Sequence, residues 1–361
     1  MASGRVEVKV APPYQVVVGA GLDLAKVLSE TLAPNVGVIL TDSHVGPLHA
    51  APLRRALEDA GWRVADVVEV AAGERSKSLA VYAEVAGRLA RSGLKRDGTL
   101  FALGGGVVGD LGGFVAATFM RGIDLVQLPT SLLAMVDSSV GGKVGLDLPE
   151  GKNLIGSFFR PRLVAANLDW LETLPARELS CGLAEVIKMG LLSGGDYFAS
   201  LHRIKAARAG DPDALATLIM GSVRFKAHVV SEDELEGGRR AILNYGHTIG
   251  HGLEAAADFT LPHGEAVSAG MVAAAHLSRE KLGNDLVALH EDLLRSAGLP
   301  LGVPAVEIER VLSAMEHDKK RRSGDGAEGY RFVLLEDVGK PISGVPVDEE
   351  EARRAIGAVV G

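Results

Sequence analysis

The first half of the chain alternates short runs of apolar, β-branched residues with longer stretches of helical periodicity. The runs predict strands over residues 14–18, 36–41, 64–70, 99–103 and 124–128. Strands that alternate with helices are typical of βα units on a mostly parallel sheet. The first half therefore predicts an α/β domain.

The pattern changes after Leu174 and Pro175, where long apolar runs take the helical period and strand-like segments become few. Helices are predicted over residues 178–193, 212–231, 245–257 and 264–282. We place a domain boundary near residue 176, which gives an α/β domain over 1–176 and an all-α domain over 177–361. The alternative is one large α/β domain with a helical tail.

Composition excludes several classes of protein. The 361 residues are 47% hydrophobic and 23% charged, which indicates a globular chain, and no apolar run reaches the roughly 18 residues of a membrane span. A formal net charge of −8 gives no general attraction to nucleic acid or anionic lipid. An anionic ligand must therefore be held by a local group of cations.

Cysteine content and the first residues point to a compartment. Cys181 is the single cysteine, which excludes an intrachain disulfide, and residues 1–10 carry charges where a signal peptide needs an apolar core. A cytoplasmic location is expected.

Glycine is enriched, with 45 residues, and its densest cluster, Gly104–Gly113, follows the predicted strand 99–103. The cluster contains the pattern G-x-G-x-x-G at Gly104, Gly106 and Gly109. Glycines between a strand and a helix let backbone N–H groups approach a pyrophosphate. The acidic partner for a ribose is either Asp124, at the usual spacing, or Asp42, which ends the strand 36–41. The alternative is a tight turn without a ligand.

Three further loops combine glycine with cations, at residues 73–77, 137–143 and 151–153. They place Lys77, Lys143 and Lys152 where the backbone can come close to a ligand. These loops are either solvated or part of a phosphate or nucleotide site.

Four of the ten histidines fall within 30 residues: His247, His251, His263 and His276. Helical spacing puts His247, His251 and Glu254 on one face, which predicts a metal site. A further ligand is expected on the predicted helix 178–193, either the carboxylate of Glu185 or the thiol of Cys181. The alternative is that the histidines are core or capping residues.

Taken together, the motifs identify a family. In order along the chain they are Gly104–Gly113, Met120–Gly122, Leu128–Ser131, Asp137–Lys143, Gly151–Gly156, Ala184–Lys188, Asn244–His251 and His263–Glu265. This series resembles the 3-dehydroquinate synthase family, and the resemblance extends from about residue 14 to about residue 320.

The resemblance implies a Rossmann-like domain for NAD, a helical domain with a divalent metal, usually zinc with cobalt as an alternative, and an active site in the cleft between them. It implies a sugar-phosphate substrate and a homodimer, and no nucleic acid or membrane partner. The metal ligands transferred by motif are Glu185, His247 and His263, which makes His251 a catalytic residue near the phosphate.

The resemblance also implies the other site residues. Those for NAD are Asp42, Glu74, Lys77, Gly105, Gly106, Val107, Val108, Gly109, Asp110, Thr130, Ser131, Lys143, Lys152, Leu171, Glu172, Thr173 and Leu174. Those for substrate and catalysis are Arg121, Asp137, Lys143, Asn153, Lys188, Lys226, Arg240, His251, Lys319 and Lys320. Arg121 is expected to come from the dimer mate.

The reaction of the family is a shikimate-pathway step that converts 3-deoxy-D-arabino-heptulosonate 7-phosphate to 3-dehydroquinate. It proceeds by oxidation with NAD, phosphate elimination, reduction, ring opening and aldol closure. Val144 and the segment 146–149 depart from the family pattern, which keeps open another sugar-phosphate cyclase that makes a valiolone, an inosose or an amino-dehydroquinate. A metal-dependent polyol dehydrogenase and a non-catalytic NAD-binding sensor are further alternatives.

Overall fold

The computed structural model describes residues 4–304, 306–322 and 329–361, with the backbone alone for 317–322. Lys319 and Lys320 therefore lie outside the residues whose side chains are described. The chain divides into two compact units. The first extends to Pro175 and also contains Lys226–Leu235, and the second contains Ala176–Phe225 and continues from Glu236 to the end.

A seven-stranded sheet forms the centre of the first unit. Its strands are β1 (Gly4–Val8), β2 (Tyr14–Gly19), β3 (Val36–Asp42), β4 (Arg63–Val70), β5 (Thr99–Gly104), β6 (Asp124–Pro129) and, after a separate hairpin, β9 (Leu163–Asn167). The spatial order is β1-β2-β9-β6-β5-β3-β4, with every pair parallel except the edge pair β1-β2. The mostly parallel sheet and the five predicted strands are confirmed.

The order of the strands reverses at β3. From β3 the chain moves to one edge as β4 and then returns to pair β5 with the other side of β3. Parallel α/β sheets open a crevice at the carboxyl ends of their strands where the order reverses in this way. The crevice of this sheet lies at the ends of β3 and β5.

Helices cover the sheet, and the separate hairpin that precedes β9 packs on one of these helices. The helices are α1 (Leu24–Ser29), α2 (Ala51–Asp59), α3 (Leu79–Arg91) and α4 (Gly106–Thr118), and the hairpin is formed by β7 (Lys143–Leu148) and β8 (Gly151–Phe158). A Cβ on Gly113 of α4 would lie 2.2 Å from Val144 Cγ1 of the hairpin. The hairpin approaches α4 this closely because Gly113 has no side chain.

The second unit is mainly helical. Its helices are α5 (Ala176–Ser193), α6 (Gly195–Ser200), α7 (Ile204–Arg208), α8 (Pro212–Glu232, whose residues from Lys226 onward belong to the first unit), α9 (His247–Ala256), α10 (His263–Leu282), α11 (Val287–Ser296), α12 (Ile308–Arg322) and α13 (Glu349–Gly357), with a hairpin of β10 (Tyr330–Asp337) and β11 (Lys340–Val347). The four predicted helices are present within two residues at each end. The hairpin was not predicted. No helix in the described ranges is long and apolar enough to cross a membrane.

Two glycines let α10 approach its neighbours in the second unit. A Cβ on Gly264 would lie 2.4 Å from the Cα of Cys181 on α5, and a Cβ on Gly270 would lie 2.0 Å from the carbonyl oxygen of Gly246 before α9. Real Cβ atoms do not come this close to backbone. These glycines thus bring together the three helices that carry the histidine cluster and Glu185.

Candidate active site

Apart from Lys143 and Lys152, the residues expected to contact NAD lie at one edge of the sheet in the first unit. They follow the carboxyl ends of five parallel strands: Asp42 ends β3, Glu74 and Lys77 follow β4, residues 105–110 follow β5, Thr130 and Ser131 follow β6, and residues 171–174 follow β9. Carboxyl ends of parallel strands lie at the same edge, so the sheet brings these segments together around its crevice.

The two aspartates that the sequence offered as ribose partners lie at opposite ends of the strands. Asp42 lies at the carboxyl end of β3, beside the end of β5, whereas Asp124 begins β6 at the opposite edge of the sheet. Asp42 is largely buried, and its Oδ1 accepts the backbone N–H groups of His44 and Val45 at 2.9 and 3.0 Å. These bonds hold the carboxylate in place through Oδ1.

The glycine turn lies directly between β5, which ends at Gly104, and α4, which begins at Gly106. The first backbone N–H groups of α4 have no acceptor within the helix and carry its positive dipole end. A Cβ on Gly105 would come within 3.5 Å of Ser131 Oγ, so the turn also runs close to the β6 loop. This arrangement suits a pyrophosphate.

Lys77 is the centre of a polar cluster that sequence reasoning did not predict. Its Nζ is 2.7 Å from Asn153 Oδ1, 2.9 Å from Asp110 Oδ2 and 3.5 Å from Glu74 Oε1. Burial alone would lower the pKa of Lys77, but Asp110, Glu74 and Asp147 outweigh burial and raise this pKa. Lys77 is therefore a permanent cation that ties the glycine turn to the β7–β8 hairpin.

Two more candidate residues of the first unit form a pair. Lys226 is largely buried, and its Nζ donates to the backbone oxygen and to Oδ1 of Asp137, both at 2.6 Å.

Lys143 begins β7, and Lys152 lies in β8 with its Nζ 3.8 Å from Glu74 Oε1. The hairpin thus carries two of the three lysines that the sequence placed in glycine-containing loops.

Arg121 is separated from the glycine turn by the length of α4. It lies in a short turn after the last residue of α4, whereas the glycine turn precedes the first. Thirteen helical residues span about 20 Å. Met120 and Arg121 both have positive φ, at 53° and 65°, and Met120 is half exposed.

The predicted metal ligands converge in the second unit. Glu185 lies in α5, and His247 and His263 are the first residues of α9 and α10. Nε2 of His247 is 3.4 Å and Nε2 of His263 is 3.7 Å from Glu185 Oε1. Ligands about 2.1 Å from a tetrahedral zinc ion lie about 3.4 Å apart. The three side chains therefore have the spacing of one coordination sphere.

The other ring nitrogen of each histidine faces an acceptor. His247 Nδ1 is 3.0 Å from the carbonyl oxygen of Tyr245, and His263 Nδ1 is 3.3 Å from Glu254 Oε1. A carbonyl or carboxylate on Nδ1 retains the proton there and leaves Nε2 as the metal-binding atom. Both rings therefore present Nε2 toward Glu185.

The surroundings shift the pKa values of the three side chains in this cluster in different directions. Burial alone would raise the pKa of Glu185, but Lys188, His247 and His263 hold it well below its ordinary value. Burial and the nearby Lys188 hold the pKa of His247 well below normal. Burial alone would also lower the pKa of His263, but the carboxylates of Glu185 and Glu254 outweigh it and raise this pKa to about 10. Without metal the cluster therefore contains one carboxylate, one neutral imidazole and one imidazolium.

Glu185 provides the test of whether a metal fits. Its side chain is fully buried, and neither carboxylate oxygen accepts a hydrogen bond from the described part of the chain, although Lys188 Nζ lies 2.5 Å from Oε2. A buried carboxylate without donors is costly. Two neutral-ring nitrogens and this oxygen are the donor set that zinc prefers, so the residues fit a divalent metal.

The remaining candidates of the second unit have clear positions. His251 stacks edge-on against His247, with ring centroids 5.1 Å apart, and Arg240 is buried in the turn before α9. Cys181 is buried, and burial raises its thiol pKa to about 11. Of the two proposed ligands, Glu185 is the one whose ligand atom groups with those of His247 and His263. His276 lies 13 residues along α10, about 20 Å from His263, and is not part of the cluster.

A doubly wound parallel sheet with a nucleotide crevice, followed by a helical unit with a His–His–Glu cluster, defines an α/β enzyme with a candidate metal centre. Family models described as 3-dehydroquinate synthase N-terminal and C-terminal match residues 67–181 and 182–321. They cover well over half of the sequence. The chain belongs to the 3-dehydroquinate synthase family.

Relatives with known names agree with this assignment. A 3-dehydroquinate synthase of Acidithiobacillus ferrooxidans is 45% identical over 337 residues, covering 91% of this chain and 90% of that protein. The crystal structure of 2-deoxy-scyllo-inosose synthase complexed with carbaglucose-6-phosphate, NAD+ and Co2+ is 27% identical, with a TM-score of 0.89 and coverage of 98% and 99%. The 2-epi-5-epi-valiolone synthase of Streptomyces hygroscopicus, with NAD+ and Zn2+ bound, is 25% identical, with a TM-score of 0.86 and coverage of 96% of each chain.

Proposed function

We propose that this chain is a 3-dehydroquinate synthase that uses NAD and a divalent metal to convert 3-deoxy-D-arabino-heptulosonate 7-phosphate to 3-dehydroquinate and phosphate. The observation that carries the proposal is the convergence of His247 Nε2 and His263 Nε2 on the fully buried Glu185. The family assignment and the NAD-bound and metal-bound neighbours support the cofactors.

Two hydride transfers, one before and one after the loss of phosphate, regenerate the cofactor in each turnover. A substrate C–H gives its hydride to NAD while the hydroxyl loses its proton, and the ketone formed acidifies the adjacent carbon. Loss of that proton expels phosphate with the electrons of the C–O bond, and the NADH returns its hydride to the ketone. When bound, the metal supplies Lewis-acid polarisation of the substrate oxygen. Ring opening and aldol closure then complete the product.

The residues of this chain have distinct proposed roles in these steps. Glu185, His247 and His263 would hold the metal. Lys188, buried beside Glu185, and Lys226, held by Asp137, would stabilise the negative charge that develops on the substrate. Arg240, His251 and Asn153 would hold the phosphate, and we also assign Lys143 and Lys152 to NAD.

One assay tests the proposed function. The purified protein with zinc, catalytic NAD and the heptulosonate phosphate is expected to release phosphate and form 3-dehydroquinate in equal amounts, with no net rise in NADH absorbance. A net rise in NADH would instead indicate a polyol dehydrogenase. The absence of both products with saturating substrate would contradict the proposal.

A second candidate is another sugar-phosphate cyclase, favoured by the altered segment 146–149. Asp147 in this segment accepts the backbone N–H of Asn153 at 2.7 Å, so the departure lies beside a proposed substrate residue. Phosphate release from a hexose 6-phosphate, at a rate equal to or above that from the heptulosonate phosphate, would establish this alternative. The 45% identity to a 3-dehydroquinate synthase, against 27% to the inosose synthase, favours the first candidate.

Asp42 provides a prediction about NAD. Asp42→Asn keeps an oxygen for the N–H groups of His44 and Val45 but loses the charged acceptor for a ribose hydroxyl. We expect the Kd for NAD, measured by fluorescence titration, to rise about tenfold. Asp124→Asn, at the opposite edge of the sheet, is the matched control and should leave this Kd unchanged. Equal effects of the two substitutions would contradict the assignment of Asp42.

We also propose a homodimer in which Arg121 serves the partner subunit's phosphate site. The distance of Arg121 from the glycine turn and the exposure of Met120 and Phe158 support this arrangement. Arg121→Ala and His263→Ala should each be inactive, yet a mixture refolded together should regain about a quarter of the parent activity, because half of the dimers then contain one intact site. No recovery in mixed dimers would place Arg121 in its own subunit's site or outside it.

The proposed biosynthetic role also implies a cytoplasmic location, where NAD is freely available. A single buried cysteine is compatible with a reducing compartment.

A further inference from the structure

The buried carboxylate of Glu254 has no role in the proposed reaction, although it lies beside a proposed metal ligand. Glu254 is 3% exposed and lies two turns after His247 on the same helix, α9. A carboxylate is rarely buried to this degree unless it has a partner. Its Oε1 is 3.3 Å from His263 Nδ1.

The imidazole of His263 therefore lies between two carboxylates. Its Nδ1 faces Glu254 from α9, and its Nε2 faces Glu185 from α5 at 3.7 Å. The two nitrogens are separated by one ring carbon and point in different directions. An acceptor at Nδ1 therefore determines which nitrogen is available to a metal and how the ring is turned. His263 begins α10, and no residue on its own helix provides that acceptor among the described hydrogen bonds.

The two histidines of the cluster differ in this respect. His247 Nδ1 faces a neutral backbone carbonyl, that of Tyr245, at 3.0 Å. His263 Nδ1 faces a charged side chain. A carboxylate partner increases the electron density of the imidazole more than a carbonyl does, and such partners typically change metal affinity 10–100-fold.

We propose that Glu254 is a positioning residue for the metal: it accepts the Nδ1–H of His263, turns Nε2 toward Glu185 and strengthens this nitrogen as a ligand. The inference rests on the proposed metal function of Glu185, His247 and His263. His251, Glu254 and His263 are also close enough to form a metal group of their own. When Nε2 of His263 binds one metal ion and its Nδ1–H donates a hydrogen bond to Glu254, the ring has no nitrogen left for a second metal ion. One metal ion is therefore expected.

The test measures metal binding without substrate or NAD. Zinc affinity is determined by competition with a chromophoric chelator for the parent, Glu254→Leu and Glu254→Gln. We expect the zinc Kd to rise 10–100-fold in Glu254→Leu, which has no acceptor. In Glu254→Gln, which keeps an acceptor oxygen without the charge, we expect a rise of about three- to tenfold. The matched control is Glu265→Gln, because Glu265 is two residues from His263 but bonds Arg177 instead, at 2.6 Å.

Several outcomes would overturn the inference. A zinc Kd within twofold of the parent in either Glu254 variant would do so, as would an equal effect of Glu265→Gln, which would indicate a general charge effect. Two equivalents of zinc in the parent would assign Glu254 to a second metal site. If Glu254→Leu fails to fold, Glu254→Gln alone decides.

Cobalt spectroscopy separates positioning from a general structural effect. The visible absorption bands of bound Co²⁺ depend on the ligands and their geometry. We expect these bands to shift in Glu254→Leu and to return toward the parent positions in Glu254→Gln. The unfolding temperatures of the metal-free proteins are measured as well, and the order of zinc affinities should not follow the order of these temperatures. A protein that binds one zinc ion with this dependence on Glu254 but forms no 3-dehydroquinate would contradict the proposed function and leave this inference intact.

Discussion

Replacing His263 by alanine is expected to remove the bound metal and to lower kcat/KM at least about 1,000-fold, while the affinity for NAD stays within about twofold of the parent. Among the described residues, His263 supplies one of the two ring nitrogens that lie within 4 Å of Glu185. A site with one imidazole and one carboxylate has one ligand fewer than the three that the protein supplies in a catalytic zinc site, so its metal affinity should fall steeply. The proposed NAD residues lie in the other unit, so nucleotide binding should be preserved.

The measurements for this prediction are metal content after dialysis, steady-state kinetics and an NAD titration. His276→Ala is the matched control, because His276 lies on the same helix but about 20 Å from the cluster. It should retain metal and activity. A His263→Ala protein with a full equivalent of metal and parental turnover would contradict the ligand assignment.

Much of the first unit could be predicted from local sequence, and the reasons are physical. The strands β2, β3, β5 and β6 are short, nearly continuous apolar runs that are buried inside a mostly parallel sheet, and their length and β-branched residues mark them as strands. The β7–β8 hairpin was missed because Gly145, Gly151 and Gly156 interrupt its strands. The apolar run 332–335 in β10 could have predicted a strand, but it lies among segments with a helical pattern.

The candidate metal site was less accessible to sequence reasoning, because its residues come from three helices. Helical spacing pairs His247 with His251, yet the ring that completes the cluster belongs to His263, the first residue of the next helix. Only the packing of helices through Gly264 and Gly270 brings His263 to Glu185. The family resemblance, rather than spacing, named this set. The part of Glu254 was not predicted, because spacing alone made it a ligand candidate.

Outside the metal cluster, the buried His290 should make the stability of the second unit depend on pH. Its Nδ1 is 2.7 Å from the carbonyl oxygen of Leu286, and its Nε2 is 2.7 Å from the hydroxyl of Tyr245. A carbonyl only accepts, so Nδ1 carries the proton and Nε2 accepts from the tyrosine. His290 is therefore neutral, and it supports the residue whose own carbonyl bonds His247.

Lowering the pH is expected to destabilise the second unit through His290. Burial lowers the pKa of His290 from 6.5 to about 4. Between these two values the unfolded chain binds a proton that the native state does not, so stability is complete above pH 6.5 and is lost as the pH falls toward 4. The full displacement corresponds to about 3 kcal/mol, of which about 2 kcal/mol is lost between pH 7 and pH 5.

His290→Gln separates this contribution from the other titrating groups. Glutamine can bond both Tyr245 and Leu286 but does not titrate, so the free energy of unfolding of the variant should fall about 2 kcal/mol less than that of the parent between pH 7 and pH 5. Both proteins are compared metal-free, by urea denaturation followed by far-UV circular dichroism. Tryptophan fluorescence is unsuitable because Trp62 and Trp170 both belong to the first unit. Parallel losses in the two proteins would mean that His290 is not the titrating group, and hence that the hydroxyl of Tyr245 is not bonded by a neutral imidazole.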